Sequence, residues 1–235
     1  MNQGPRRFYK EATIRPADGG FLVYLDQRGL NTPAKMPLKL PTEALAQAIA
    51  EEWAGQGDHI KPATMPLTQL SNTAIDRVAG NPAPAIQELL AYAGADLLCY
   101  RAGEPAALVE RQQKLWQPLL DWLALRHDAP LAVHAGVIHK PQPEPSIAAL
   151  RRHLGSLSPF ELAGLAAITP LAGSLVIALA LHEGRISADE AFDLAELDAS
   201  FQIERWGEDA EAASRRQGLR QELHDIRRFL QLSGA

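Results

Sequence analysis

Residues 162–181 read LAGLAAITPLAGSLVIALAL, and these twenty residues carry no charged side chain. Apolar side chains occur at every angle of a helical wheel, which is typical of a segment that is surrounded on all sides. Length alone would allow a membrane span. However, eight of the twenty residues are alanine or glycine, and Thr169-Pro170 interrupts the middle. Because an internal proline lacks the N–H and clashes with the preceding turn, we expect two shorter buried helices.

The flanking residues support this interpretation. Ser158-Pro159-Phe160-Glu161 is a capping box with proline at the first helical position, a start signal typical of helices in water-soluble proteins. We expect the second helix to restart at Pro170, with Thr169 as its cap, and to run to Gly184. Neither a second hydrophobic span nor a Lys/Arg-rich flank accompanies the stretch, so we expect no stable membrane insertion.

Composition indicates a soluble globular protein. The 235 residues include 23 Lys+Arg and 28 Asp+Glu, a net charge of −5, and no basic cluster exceeds a pair. Nucleic acid is therefore an unexpected partner. The single cysteine, Cys99, lies in an apolar run and is expected to be a buried small hydrophobe. The polar N-terminus lacks the apolar region of a secretory signal, so we expect a cytoplasmic location.

The first forty residues predict strands. Phe8–Ile14 alternates with a period of two, Asp18-Gly19-Gly20 predicts a turn, and 21–26 alternates again. A short third strand is expected at Leu30–Thr32, and prolines confine any strand at 36–40 to a sheet edge. Together these segments predict a small antiparallel meander that needs helices to cover its apolar face.

Helical periodicity dominates the remainder. Start signals and apolar stripes predict helices that begin at Thr42, Pro66, about Ile86, Pro105, Ser146, Ser187 and about Glu208. The order of strands and then helices predicts an α+β fold, with an N-terminal α+β domain at 1–80 and an all-helical C-terminal domain at 81–235.

Motifs for catalysis are absent from the sequence. It contains no phosphate-binding glycine loop, no G-x-S-x-G and no H-E-x-x-H. Seven histidines show no ligand spacing beyond His134 and His139, which would face opposite sides of a strand. We therefore expect no metal, no cofactor and no catalytic residue, although residues distant in sequence can still assemble an active site.

Two stretches are more specialised than folding requires. The first runs from Glu51-Glu52-Trp53 through Ile60-Lys61-Pro62 to Asp76, and the second comprises Phe201, Trp206, Glu208, Asp209 and Glu211. Each has an ordinary explanation. Trp53 is in line with Leu45 and Ile49 and is expected in the core, and carboxylates in the first turn of a helix are favoured by its dipole.

Seven segments of the chain, in order, resemble a known family. They are RRFYKEATI, LDQRGLNTP, LPTEALAQAIAEEW, MPLTQLSNTAIDRV, DLLCYRA, LVERQQKLWQPLLDW and WGED. Together they resemble the assembly chaperones that bind the alpha subunit of the ATP synthase catalytic head, from about Arg6 to about Gln231. The eukaryotic members carry a mitochondrial transit peptide, which is not seen here, so we expect a bacterial member.

The resemblance implies a function without ATP hydrolysis. A chaperone of this kind masks the apolar interface of the unassembled alpha subunit until assembly, because exposed apolar patches aggregate. Reversible binding calls for apolar anchors mixed with charge. We therefore expect Trp206, Glu208, Asp209, Glu211 and Phe201 to bind the client, and we expect a monomer. A small-molecule enzyme with a non-motif active site and a membrane-associated assembly factor are the alternatives.

Overall fold

The computed structural model of the chain describes residues 4–136, 138 and 140–234, so His139 lies outside the described residues. The described chain forms two compact units. Unit 1 comprises residues 4–82, 158–164 and 225–234, and unit 2 comprises the described residues of 83–157 and 165–224. Strands come first and helices follow, which confirms the α+β class. The two-domain division at residue 80 stays a prediction.

Unit 1 is built on a small antiparallel sheet. Its strands are β1 (Ala12–Ala17), β2 (Gly20–Leu25), β3 (Arg28–Gly29) and β4 (Lys39–Leu40). β1 and β2 form a hairpin around the turn at Asp18-Gly19, while β3 pairs with the end of β2 and β4 with its beginning. The predicted meander is therefore present, with its third strand at Arg28–Gly29 and not at Leu30–Thr32.

The first predicted strand is wrong in its first half, since β1 begins at Ala12 and not at Phe8. The backbone N–H of Arg7 donates to the carbonyl of Asp58 at 2.9 Å. The carboxylate of Asp26 accepts from the N–H groups of Lys10 and Glu11, both at 3.0 Å. Alternation of side chains alone could not distinguish this loop from a strand, because distant groups satisfy its backbone.

Helices α1 (Glu43–Ala54) and α2 (Pro66–Thr73) complete the first part of unit 1, and α2 continues into a π-helical turn at Ala74–Val78. The Thr42 hydroxyl accepts from the N–H of Leu45 at 3.1 Å, which confirms the predicted cap. α1 packs on the sheet, and both Leu45 and Ile49 are fully buried. The predicted starts at residues 42 and 66 are therefore confirmed.

The remaining helices follow in chain order, and a short parallel pair of strands, β5 (Tyr100–Arg101) and β6 (His134–Ala135), lies among them. The helices are α3 (Ala83–Gly94), α4 (Ala106–His127), α5 (Glu144–Leu154), α6 (Pro159–Ala172), α7 (Leu175–His182), α8 (Ala188–Ala195), α9 (Leu197–Trp206) and α10 (Ala210–Leu232). The first residues of α6 and the last of α10 belong to unit 1, and the rest of both helices to unit 2.

The central stretch forms two helices as predicted, but the predicted break at Thr169-Pro170 is wrong. α6 continues through Pro170 to Ala172, and the Thr169 hydroxyl donates to the carbonyl of Leu165 at 2.8 Å instead of capping a new helix. The chain turns at Gly173, whose φ of +64° lies in the left-handed region that favours glycine. Ser174 then caps α7, every residue of which is buried. The left-handed conformation of Gly173 therefore ends α6, whereas the missing N–H of Pro170 does not.

Asp96 links two helical starts within unit 2. Its Oδ1 accepts from the backbone N–H of Leu98 at 3.1 Å and from the hydroxyl of Ser174 at 2.7 Å. Its Oδ2 accepts from the N–H of Val176 at 3.1 Å. Burial raises the pKa of Asp96 to about 6, although these hydrogen bonds act in the opposite direction. The sequence analysis did not identify this residue.

Several single-residue expectations are confirmed. Ser158 and Ser187 both form capping boxes, with Glu161 and Glu190 respectively. Cys99 is fully buried, and burial raises the pKa of its thiol to about 12, which suits a small hydrophobe and not a nucleophile. None of the helices in the part of the chain that the structure describes is long and apolar enough to cross a membrane.

Candidate client-binding surface

An exposed aromatic corner closes helix α9. Trp206 is its last residue and remains 77% exposed. Gly207 follows with a φ of +83°, a backbone conformation that lets the chain leave the helix and reach the start of α10 at Ala210. A tryptophan in such a position offers a large contact area with few rotatable bonds. The chain therefore bends between α9 and α10, close to the helix start expected at about Glu208.

The three carboxylates of this corner differ in their partners. Glu208 forms an ion pair with Nε of Arg216 at 3.1 Å. Asp209 accepts the N–H of Ala212 at 2.8 Å and so caps α10. Glu211 is exposed in the first turn of that helix. The ordinary explanation of the acidic group thus applies to Asp209, and Glu211 is the carboxylate best placed to meet a partner.

Phe201 does not present its ring to solvent. It is 6% exposed, and the guanidinium groups of Arg205 and Arg111 lie 4.4 and 5.2 Å from its ring centroid. Arg111 also donates two hydrogen bonds to the carboxylate of Glu204, at 2.7 and 2.9 Å. This pair lowers the pKa of Glu204. Phe201 is therefore buried beneath charged side chains, and its role in client binding stays a prediction.

A groove of about 590 Å³ lies between α4 and the α8–α9 pair. Leu115, 43% exposed, supplies an apolar patch there. The lining residues are Ala107, Glu110, Arg111, Lys114, Leu115, Asp193, Leu197, Ser200 and Glu204. Because the lining mixes apolar side chains with charges of both signs, the groove suits a polar, reversible contact more than a permanent dry one.

A second hollow of about 370 Å³ adjoins this groove, since both are lined by Lys114, Leu115 and Asp193. Pro118 and Leu119 of α4 lie on one side of it, and its other lining residues are Arg185, Ile186, Glu190 and Leu194. We call the two hollows and the Trp206 corner the α4–α9 surface. Trp206 ends α9, the helix that also contributes Ser200 and Glu204 to the first groove, so the corner and the groove share this helix.

Buried polar contacts hold α4 in place beneath this surface. The indole N–H of the fully buried Trp116 donates to the carbonyl of Leu194 at 3.0 Å. The side-chain amide of Gln112 donates to Asp198 at 2.8 Å, and its oxygen accepts the N–H of Ala102 at 2.8 Å. Each of these groups is satisfied, so the groove has rigid walls.

The first specialised stretch forms a different feature, a cleft of about 500 Å³ within unit 1. Its polar residues serve local structure. Glu52 accepts the N–H groups of Leu67 at 2.7 Å and Thr68 at 2.9 Å, and so caps α2. Asp76 accepts from the hydroxyl of Thr32 at 2.5 Å and from the N–H of Ala34 at 3.0 Å.

Trp53 lines this cleft and is only half-buried, although it packs against the cluster around Tyr9 and Met65. Its indole N–H and the side-chain oxygen of Asn72, which also lines the cleft, are buried without hydrogen-bond partners. The expectation of a core tryptophan is therefore correct for one face of the ring only.

Comparison with known proteins identifies the family of this chain. The family model described as ATP12 chaperone protein matches residues 6–124, more than half of the sequence. The chain belongs to the ATP12 chaperone family. Chaperones of this family serve ATP synthase assembly. The resemblance found in the sequence is therefore confirmed at the level of the family.

Two solved structures share the fold of this ATP12-family chain. The crystal structure of Atp12 from Paracoccus denitrificans is 44% identical, with a TM-score of 0.92 over 97% of this chain and 98% of that one. A protein from Agrobacterium tumefaciens is 41% identical, with a TM-score of 0.91 over 97% of this chain and 85% of that one. Protein atp12, mitochondrial, of Schizosaccharomyces pombe is 26% identical over 86% of this chain and 74% of its own length.

Proposed function

We propose that this chain binds the unassembled alpha subunit of the ATP synthase catalytic head and masks its apolar interface until assembly, acting in the cytoplasm by binding alone and not as an enzyme. Family membership supports a chaperone for ATP synthase assembly. The observation that carries the proposal is the 77% exposure of Trp206 at the end of α9, the helix that lines a groove in which Leu115 is also exposed.

The α4–α9 surface has the chemistry that this task requires. Trp206 and Leu115 serve as apolar anchors, and tryptophan is among the residues that most often dominate binding energy. Glu211 and the Arg111–Glu204 pair supply rim charges, which mainly steer encounter and set specificity. A surface of this mixed kind can bind the alpha subunit reversibly, which a chaperone needs if the final partner is to displace it.

The test is a pull-down of purified alpha subunit by the Trp206→Ala variant. Truncating a central tryptophan costs about 2 kcal/mol or more at an interface, so capture should fall by about 30-fold. Leu125→Ala is the matched control, because Leu125 is 89% exposed on α4 and lines neither hollow. Both variants should melt like the wild type. Normal capture by folded Trp206→Ala would refute this site.

A charge reversal tests the rim separately. Glu211→Lys reverses an exposed charge in the first turn of α10, where the helix dipole alone would favour a carboxylate. Glu222→Lys reverses an exposed charge further along the same helix and serves as the control. Reversal at Glu211 should lower the association rate for the alpha subunit, more so at low salt, and reversal at Glu222 should not. Glu208→Lys is less informative, because it also breaks the pair with Arg216. Equal association rates for the two variants would show that Glu211 stabilises the start of α10 and does not contact the alpha subunit.

A further inference from the structure

Three helix ends within unit 2 bring two histidines and a glutamate together. His127 is the last residue of α4, His153 is the last but one of α5, and Glu183 directly follows α7. Sequence spacing could not reveal this group, because each member comes from a different helix. The fold alone makes them neighbours.

The potential ligand atoms of the three side chains lie close enough together to bind one metal ion. Nε2 of His127 lies 2.8 Å from Oε1 of Glu183, and Nε2 of His153 lies 3.7 Å from the same oxygen. One ligand atom from each residue lies within 4.8 Å of the other two. In a tetrahedral site with bonds of about 2.0–2.1 Å to zinc, ligand atoms lie roughly 3.3 Å apart. A slight separation of His127 from Glu183 and a slight approach of His153 would satisfy that geometry.

The polar atoms at the centre are otherwise unsatisfied. Nε2 of His127 and Oε1 of Glu183 are buried and lie 2.8 Å apart, and neither has a second hydrogen-bond partner among the residues that the structure describes. A carboxylate oxygen can accept more than one bond, and a bound ion is one of the recognised explanations for buried polar atoms with incomplete partners. A cation between the two atoms would satisfy both at once.

Electrostatics at this position favour a positive ion. The C-termini of α4, α5 and α7 all point their partial negative charge toward the group. Arg126 opposes a cation, since its Nε lies 2.9 Å from Oε2 of Glu183. Its side chain is 64% exposed, however, so solvent screens its charge. The same contact fixes the carboxylate and leaves Oε1 free to coordinate.

The geometry points to a divalent metal site formed by His127, His153 and Glu183, with a donor set suited to Zn²⁺. Two imidazoles and one carboxylate form a recognised zinc ligand set in which water takes the fourth position. The side chains of His153 and Glu183 are 26% and 17% exposed, so the group lies near the surface, although the ligand atoms themselves are buried. The site differs from the sequence-based expectation of no metal, which considered spacing along the chain only. A bound ion would join three helix ends of unit 2.

Metal titration of the full chain tests the proposal. After treatment with a chelator, the wild type should bind one Co²⁺ or Zn²⁺ per chain, with the visible absorption bands of tetrahedral Co²⁺ and a higher melting temperature in Zn²⁺. His153→Gln and Glu183→Gln should each weaken Zn²⁺ binding by about 100-fold, the upper end of the loss caused by removing even an outer partner of a ligand. His224→Gln, an exposed histidine of unit 2 paired with Asp189, is the matched control.

Two results would overturn the site. Absence of Zn²⁺ binding by the wild type would show that the group is a hydrogen-bonded cluster only. Equal binding by the wild type and by folded His153→Gln would place any metal elsewhere. If a variant fails to fold, anomalous scattering from Zn²⁺-soaked crystals of the wild type decides the question, since the peak must lie between His127 and Glu183.

Discussion

Replacing Asp96 by asparagine changes one buried atom in a defined way. The side-chain oxygen of asparagine can still accept from Leu98 and Ser174, which share Oδ1 in the wild type. The N–H of Val176, which donates to Oδ2, instead meets an amide that cannot accept. One buried donor is thereby left unsatisfied, at a cost of about 1–3 kcal/mol.

The variant also replaces the titratable carboxyl group of Asp96 by an amide that does not titrate. Because burial raises the pKa of Asp96 from 3.8 to about 6, the folded state binds more protons than the unfolded state between these values. The contribution of Asp96 to stability is therefore fully present below about pH 4 and is lost as the pH rises through about 6. The shift corresponds to about 3 kcal/mol over this window.

The assay is urea unfolding of the wild type and Asp96→Asn, followed by the circular dichroism of the helices from about pH 4 to about pH 7. Taking the difference between the two proteins cancels the titration of all other groups. We expect the wild type to lose stability relative to the variant as the pH rises. A constant difference would show that folding does not shift the pKa of Asp96, and a wild type that gains stability relative to the variant as the pH rises would show that Asp96 is stabilised as an ionised cap. Either result would refute the reasoning from burial.

Two further predictions follow from the core and from the missing motifs. Leu175→Asp or Ile177→Asp places an unpaired charge at a fully buried position at a cost of several kcal/mol, so unit 2 should unfold, whereas Leu125→Asp at an 89% exposed position should melt like the wild type. A wild-type melting temperature for Leu175→Asp would contradict the buried position. The purified protein should neither bind nor hydrolyse ATP, because its sequence has no phosphate-binding loop. Micromolar binding of ATP in calorimetry would disprove this expectation.

Local signals in the sequence predicted the helix starts well. Thr42, Ser158 and Ser187 each cap a helix with the hydroxyl geometry that their spacing implies. Breaks were harder to place, because a proline removes one N–H while a left-handed glycine ends the helix altogether. The predicted break at Pro170 therefore moved to Gly173.

The candidate surface was only partly visible in the sequence. The bend at Trp206 could be predicted, since it separates two periodic segments. Leu115 could not be identified, because it is four residues before Leu119 in one apolar stripe, yet Leu115 is 43% exposed and Leu119 only 4%. The group of His127, His153 and Glu183 depends on three helix ends and has no local signal at all. Tertiary packing decides such cases, and periodicity does not report it.

Unit 1 is assembled from both ends of the chain. The hydroxyl of Thr42 donates to the carbonyl of Leu232, 190 residues away. Phe160 stacks on the fully buried Phe229 with ring centroids 6.0 Å apart, and Leu230 packs directly against Gly164. The C-terminal residues therefore fill part of the interior of the N-terminal unit.

This arrangement has a consequence for synthesis on the ribosome. Domains usually fold in the order in which they emerge, with the N-terminal one first. Here the strands and α1 emerge early, but their unit lacks Phe229 and Leu230 until the ribosome has translated past residue 230. The nascent chain thus carries an incomplete first unit while about 150 residues of unit 2 and the intervening segments are made, and a stop codon shortly before residue 225 would leave that first unit without its closing helix.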